Sequence, residues 1–152
     1  MMRILPRNPF LPLPAMETEF IDALTAQYNL AGAAQLAHWN SVGENFYSFH
    51  LLFMRIYEMV EEKIDTLAEQ ARGKGIEIPA KIFNSVPEIE WDDCSELAKE
   101  VLKVCEELCE ALDKLHKKAD EKAEYGVLNV IEDILSDCNT VKYLLSSVIN
   151  KI

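Results

Sequence analysis

Proline is confined to positions 6, 9, 12, 14, 79 and 87, leaving residues 15–78 and 88–152 free of it. Proline breaks a helix interior by removing a donor and clashing with the preceding turn, so two such long stretches leave room for long helices. Each stretch carries a glycine near its middle, Gly43 and Gly126, where a helix is expected to end in the left-handed conformation. Gly32 interrupts the first helix only mildly. The pattern predicts two helical hairpins. They are joined by GKGIEIPAKIFNSVPEIEWDD, a connection too long for a tight turn, with a short helix of its own over Ala80–Ser85.

Apolar spacing supports four long helices. Phe20, Leu24, Ala31 and Ala34 mark the first, and Phe49, Phe53, Ile56, Val60, Ile64, Leu67 and Ala71 recur at steps of three and four in the second. Leu97, Val101, Cys105, Leu108, Leu112 and Leu115 do the same in the third, and Ile131, Leu135, Cys138, Leu145, Val148 and Ile152 in the fourth. Arg72 and Gly73 mark the end of the second helix, and Asp93 with Glu96 suggests a capping box opening the third. No useful strand-like alternation appears. The expectation is an all-α chain: a proline-rich extended tail over residues 1–15, then a four-helix bundle over 16–152, running up-down, a long crossover, then up-down.

Charge narrows the partners. With 26 acidic against 15 basic residues the formal net charge is −11, which disfavours a phosphate backbone, since binding one needs a lysine and arginine surface. The tail offers only Arg3 and Arg7, so no strong DNA binding is expected. No apolar run approaches the roughly 18 residues of a membrane span. The early prolines break any signal-peptide core, so a cytoplasmic location is expected. Cys94, Cys105, Cys109 and Cys138 contain no C-x-x-C pair and read as buried, reduced thiols; Cys105 and Cys109 lie four apart in an apolar stripe.

Chemistry concentrates between residues 38 and 69. At 100° per residue, one arc of the second helix gathers His50, Met54, Glu58, Glu61, Asp65 and Glu69 beside the apolar stripe. Asp65 and Glu69, four apart, project to one side and could grip a single cation. His38 shares the inward face of Phe20, Leu24 and Ala31, where an imidazole needs a partner. The pattern H-W-N-x2-G-x-N-F-x3-H, followed 15 residues after His50 by D-x3-E, combines imidazole with hard carboxylates, a set that suits iron, manganese or zinc.

The run AHWNSVGENFYSFHLLF with its later D-x3-E resembles the signature of Dps-type mini-ferritins, in the ferritin-like superfamily. NVIEDIL and KYLL resemble that family's last helix, with Tyr143 at a usual tryptophan position. The resemblance implies a hollow homo-oligomer of twelve subunits with ferroxidase sites at its two-fold interfaces. There His38 and His50 of one subunit and Asp65 and Glu69 of its partner would hold iron. It further implies oxidation of Fe(II), typically by hydrogen peroxide, and storage of ferric mineral as protection against oxidative damage. Trp39 would neighbour the site, able to donate an electron to a stray oxidant or simply to pack. One departure stands out: where the family usually places an aspartate ligand, four residues after His50, this chain has Met54, a poor ligand for a hard cation. The second iron position is therefore expected to be weak, or assisted by Glu58 or Glu61.

Two other readings compete. Ferritins that build a di-iron site inside one bundle use Glu-x-x-His motifs. The nearest match here is Asp113-x-x-His116. A non-enzymatic helical shell on the same scaffold, its oxidation weakened or lost, is the alternative that Met54 favours.

Overall fold

The structure, a computed structural model, describes Pro9 and residues 14–150. The extended tail and the inward placing of Ile152 therefore fall mostly or wholly outside the described residues. Among the described residues five α-helices make the bundle: α1 (Glu17–Asn40), α2 (Phe46–Glu61), α3 (Ile64–Gly73), α4 (Cys94–Glu121) and α5 (Tyr125–Asn150). The predicted second helix is α2 and α3, divided at Glu62–Lys63 with neither proline nor glycine at the break. There Lys63 adopts φ −109°, and its ammonium bridges Asp133 and Asp137 of α5 at 2.9 and 2.8 Å. Together the pieces complete the four-helix bundle.

The apolar stripes are the core. All seven stripe residues of α2 and α3 and all six of α4 are buried, as are Phe20, Leu24, Ala31 and Ala34 of α1. In α5 Ile131, Cys138 and Leu145 are buried, Leu135 is half-buried, and Val148 is 41% exposed near the helix end.

The crossover runs the length of the bundle. Ser41–Val42, after α1, pairs in parallel with Asp92–Asp93, just before α4; these two short strands are β1 and β2. The start of α4 thus lies at the same end as the α1–α2 turn. At the other end Lys74, capping α3, pairs with Glu124 between α4 and α5, and Lys118 of α4 approaches Glu19 of α1. The second pair of helices therefore runs down-up rather than the expected up-down, because the connection carries the chain back before α4 begins. Within the crossover Ala80–Phe83 form one 3₁₀ turn, and Phe83 packs edge-on against Tyr28 at 4.7 Å between centroids. Gly32 has a packing role here: a Cβ on it would lie 2.6 Å from Val86 of the crossover.

Helix ends follow local chemistry. Asp93 caps α4 by accepting from the Ser95 hydroxyl at 2.7 Å and the Ser95 amide at 2.9 Å, bonds that hold its carboxyl below the usual range. The reciprocal arm of the capping box is absent, since Asp92 takes the Asp93 amide and Glu96 pairs with Lys99. At the end of α3 the amides of Gly75 and Ile76 donate to Arg72 and Ala71, with Gly75 left-handed at φ 82°. The same motif ends α4, where the amides of Ala123 and Glu124 donate to Asp120 and Ala119. The left-handed residue there is Ala123, φ 52°, not the expected Gly126, which falls in the first turn of α5.

Candidate metal centre

His38 lies in the last turn of α1 and His50 is the fifth residue of α2, so the short α1–α2 connection folds them onto one another. Gly43 takes φ 101° and Asn45 φ 62° within that connection, which lets five residues reverse the chain. The imidazoles stack, with centroids 3.6 Å apart and planes inclined by 15°. His38 Nδ1 donates to the carbonyl of His50 at 2.7 Å, and His50 Nδ1 donates to the carbonyl of His38 at 2.7 Å. A carbonyl oxygen only accepts, so both Nδ1 atoms must carry hydrogen. In the neutral rings each Nε2 then keeps its lone pair for a cation, the arrangement in which backbone carbonyls orient metal-binding histidines. Tyr57 meets the His38 ring edge-on at 5.5 Å, and Phe46 tilts against His50 at 5.1 Å. His38 is buried and His50 half-buried, so the pair opens to solvent mainly on the His50 side.

The carboxylates sit elsewhere. Asp65 and Glu69 are both exposed on α3, and Glu58 and Glu61 are exposed on α2. Asp65 follows His50 by 15 residues, which at about 1.5 Å per residue places it about 22 Å further along the bundle. No pair of side chains bridges that distance. Among the described residues, none of these acids forms a compact group of three potential ligands with the histidines. One chain therefore brings together half of the predicted ligand set, His38 with His50, and holds the other half apart. Met54 is half-buried on α2, one turn beyond His50.

Apolar side chains are exposed around the histidine end. Trp39 is 61% exposed and Tyr47 70%, with Phe46 and Leu51 also exposed. A large aromatic patch open to water on one chain is characteristic of a surface that another protein covers.

The remaining histidine is not part of a bundle-interior site. His116 Nε2 lies 3.0 Å from Glu132 Oε1 between α4 and α5, and both Glu132 and Asp113 are exposed. Residue patterns alone missed a different cluster. Cys105, Cys109 and Cys138 converge, with their sulfur atoms all within 4.8 Å of one another. The four-residue spacing of Cys105 and Cys109 was the available signal; Cys138 joins them only through the packing of α5 on α4.

No helix among the described residues is long and apolar enough to cross a membrane. No curated protein matches the sequence. The fold does have solved counterparts. Antigen TpF1 from Treponema pallidum superposes with a TM-score of 0.77 at 19% identity, covering 95% of this chain and 99% of that one. Dps from Thermosynechococcus elongatus gives a TM-score of 0.80 at 17% identity, covering 88% of each chain. A Dps protein from Bacillus brevis gives 0.74 at 22% identity, covering 88% of this chain and 96% of that one. The family model for the ferritin-like domain matches residues 21–152. The chain belongs to the ferritin-like family and has the fold of its Dps-type mini-ferritins.

Proposed function

We propose that this protein is an iron-storing mini-ferritin that oxidises Fe(II) at sites shared between two subunits. The observation that carries the reading is the reciprocal lock of His38 and His50, which leaves two stacked imidazoles whose Nε2 atoms those bonds do not engage. In this reading Asp65 and Glu69 of a second copy meet the pair across a two-fold axis. Their exposure on α3, their distance from the histidines of their own chain and the aromatic patch beside His50 all support that pairing. Twelve copies would close a shell, and the acidic surface would draw cations towards it.

The chemistry follows from the ligands. Carboxylates favour the ferric product, while neutral imidazoles keep the charge moderate enough for iron to enter and leave. Two Fe(II) ions held together give two electrons to one hydrogen peroxide, which takes two protons and leaves as two waters. Both irons become ferric, and no hydroxyl radical is released. Zinc or manganese suits the same donors and would compete with iron. The aqueous, acidic surface and the absence of a membrane-crossing helix among the described residues fit a cytoplasmic role.

Met54 favours a second reading, in which the shell persists while oxidation is weak. One experiment separates them: Fe(II) oxidation measured with peroxide and with oxygen, run beside light scattering. A large closed oligomer that oxidises iron faster with peroxide supports the enzyme. An oligomer without oxidation supports the shell alone. A stable monomer at micromolar concentration overturns both.

A further inference from the structure

The three converging cysteines lie apart from the histidine pair. Cys105 and Cys109 occupy successive turns of α4, and Cys138 faces them from α5. Buried cysteines commonly act as small apolar side chains, and Cys94 does so here: its thiol stands outside the cluster and donates to the Val42 carbonyl at 3.3 Å. The trio differs in three respects. Its sulfurs are mutually within 4.8 Å. The Cys105 and Cys138 thiols hold the Cys109 thiol well below its ordinary range, and the charge of Lys142, one turn beyond Cys138, acts in the same direction. Cys105 and Cys138 are buried while Cys109 is half-exposed, which gives the cluster an entrance. A small pocket beside Cys138 is lined by Met59, Leu108 and Ile134 together with the Lys63–Asp137 ion pair.

We propose that Cys105, Cys109 and Cys138 form a binding site for a soft, closed-shell metal ion, Cu(I), in three-coordinate thiolate geometry. Thiolates select soft ions over iron(II) or magnesium. With metal–sulfur bonds of about 2.3 Å, sulfurs at the corners of a trigonal site stand about 4 Å apart, so the trio needs only a small contraction. Zinc asks for a fourth ligand, and among the described residues no histidine or carboxylate joins the group. Cu(I) is complete with three. Binding displaces the thiol protons to solvent and leaves the copper oxidation state unchanged, with Lys142 offsetting part of the thiolate charge. The site would hold a one-electron reductant between α4 and α5, on two buried sulfurs and one half-exposed sulfur.

The test uses the full chain carrying His38→Ala and His50→Ala, so that imidazoles do not contribute. Reduced, anaerobic protein is titrated with Cu(I) against a competing bathocuproine chelator, and X-ray absorption reads the ligands. One Cu(I) per chain with three sulfur neighbours is expected, together with a near-ultraviolet thiolate-to-copper band. Losing an outer partner of a metal ligand already costs 10–100-fold in affinity, so Cys109→Ser should weaken binding by more than about 100-fold at unchanged helicity. Cys94→Ser should bind as before. Cys109 is half-exposed, so its serine variant tests the site even if Cys138→Ser does not fold. Failure to hold Cu(I) against the chelator, undiminished binding in Cys109→Ser, or preference for Zn(II) in direct competition would overturn the assignment.

Discussion

The ring of His38 and the ring of His50 each donate to the other residue's backbone carbonyl, at 2.7 Å in both directions. The α1–α2 connection is thereby clasped at the point where the candidate ligands lie. Substituting either histidine removes a donor and leaves a carbonyl of its partner short of a bond. A histidine variant therefore reports on folding of the turn as well as on metal, and helicity must be measured beside activity.

The turn between α4 and α5 stores a removable strain. Ala123 holds a left-handed position that Gly75 fills in the equivalent motif after α3. A left-handed non-glycine residue costs roughly 1–2 kcal/mol, partly offset by the greater unfolded-state freedom of glycine. Ala123→Gly should raise stability by about 1 kcal/mol in urea unfolding, with the helix content unchanged. A lower midpoint would show that the alanine methyl makes a compensating contact.

Met54 stands one turn beyond His50 on α2, half-buried. Its thioether is a poor donor to a hard cation, so one metal should bind well at each site and a second weakly. Met54→Asp should add a second bound metal per site and speed peroxide-driven oxidation. Each 1.4 kcal/mol gained is about tenfold in affinity, so a shift of tenfold or more is expected in a metal titration. Unchanged stoichiometry and rate would remove residue 54 from the site.

Duplex DNA should not bind at about 150 mM salt, because counterion-release binding needs several basic contacts and weakens steeply with salt. A chain of net charge −11 repels phosphate, and Arg3 and Arg7 are the basic residues of the tail. Mobility-shift experiments should show free DNA throughout. A retarded band would reveal a basic patch strong enough to override the overall charge.

Much of the fold was legible because helical periodicity reports burial directly: every residue of the Phe49–Ala71 stripe lies in the core. The break at Glu62–Lys63 was not legible, since no proline or glycine marks it; Lys63 there pairs with aspartates 70 and more residues away. Gly126 misled for a related reason. The turn satisfies its carbonyls three residues earlier and accepts an alanine where glycine is the usual occupant. Direction of the second helix pair also depended on tertiary structure, because long-range contacts such as the β1–β2 pairing place the start of α4 beside the end of α1. At the site, the twelve-residue spacing of His38 and His50 carried the pairing, whereas the separation of Asp65 and Glu69 needed only helix length to recognise.

The intersubunit site is tested most directly by complementation. One chain carries His38→Ala and His50→Ala, the other Asp65→Ala and Glu69→Ala, and each alone should assemble but oxidise Fe(II) poorly. When the two are unfolded together and reassembled, a mixed two-fold interface contains one site lacking all four ligands and one site with all four intact. Peroxide-driven Fe(II) oxidation should therefore return in the mixed shells, well above the rate of either parent at equal protein concentration. Mixed shells of normal size that stay as inactive as their parents would contradict a site built from two subunits.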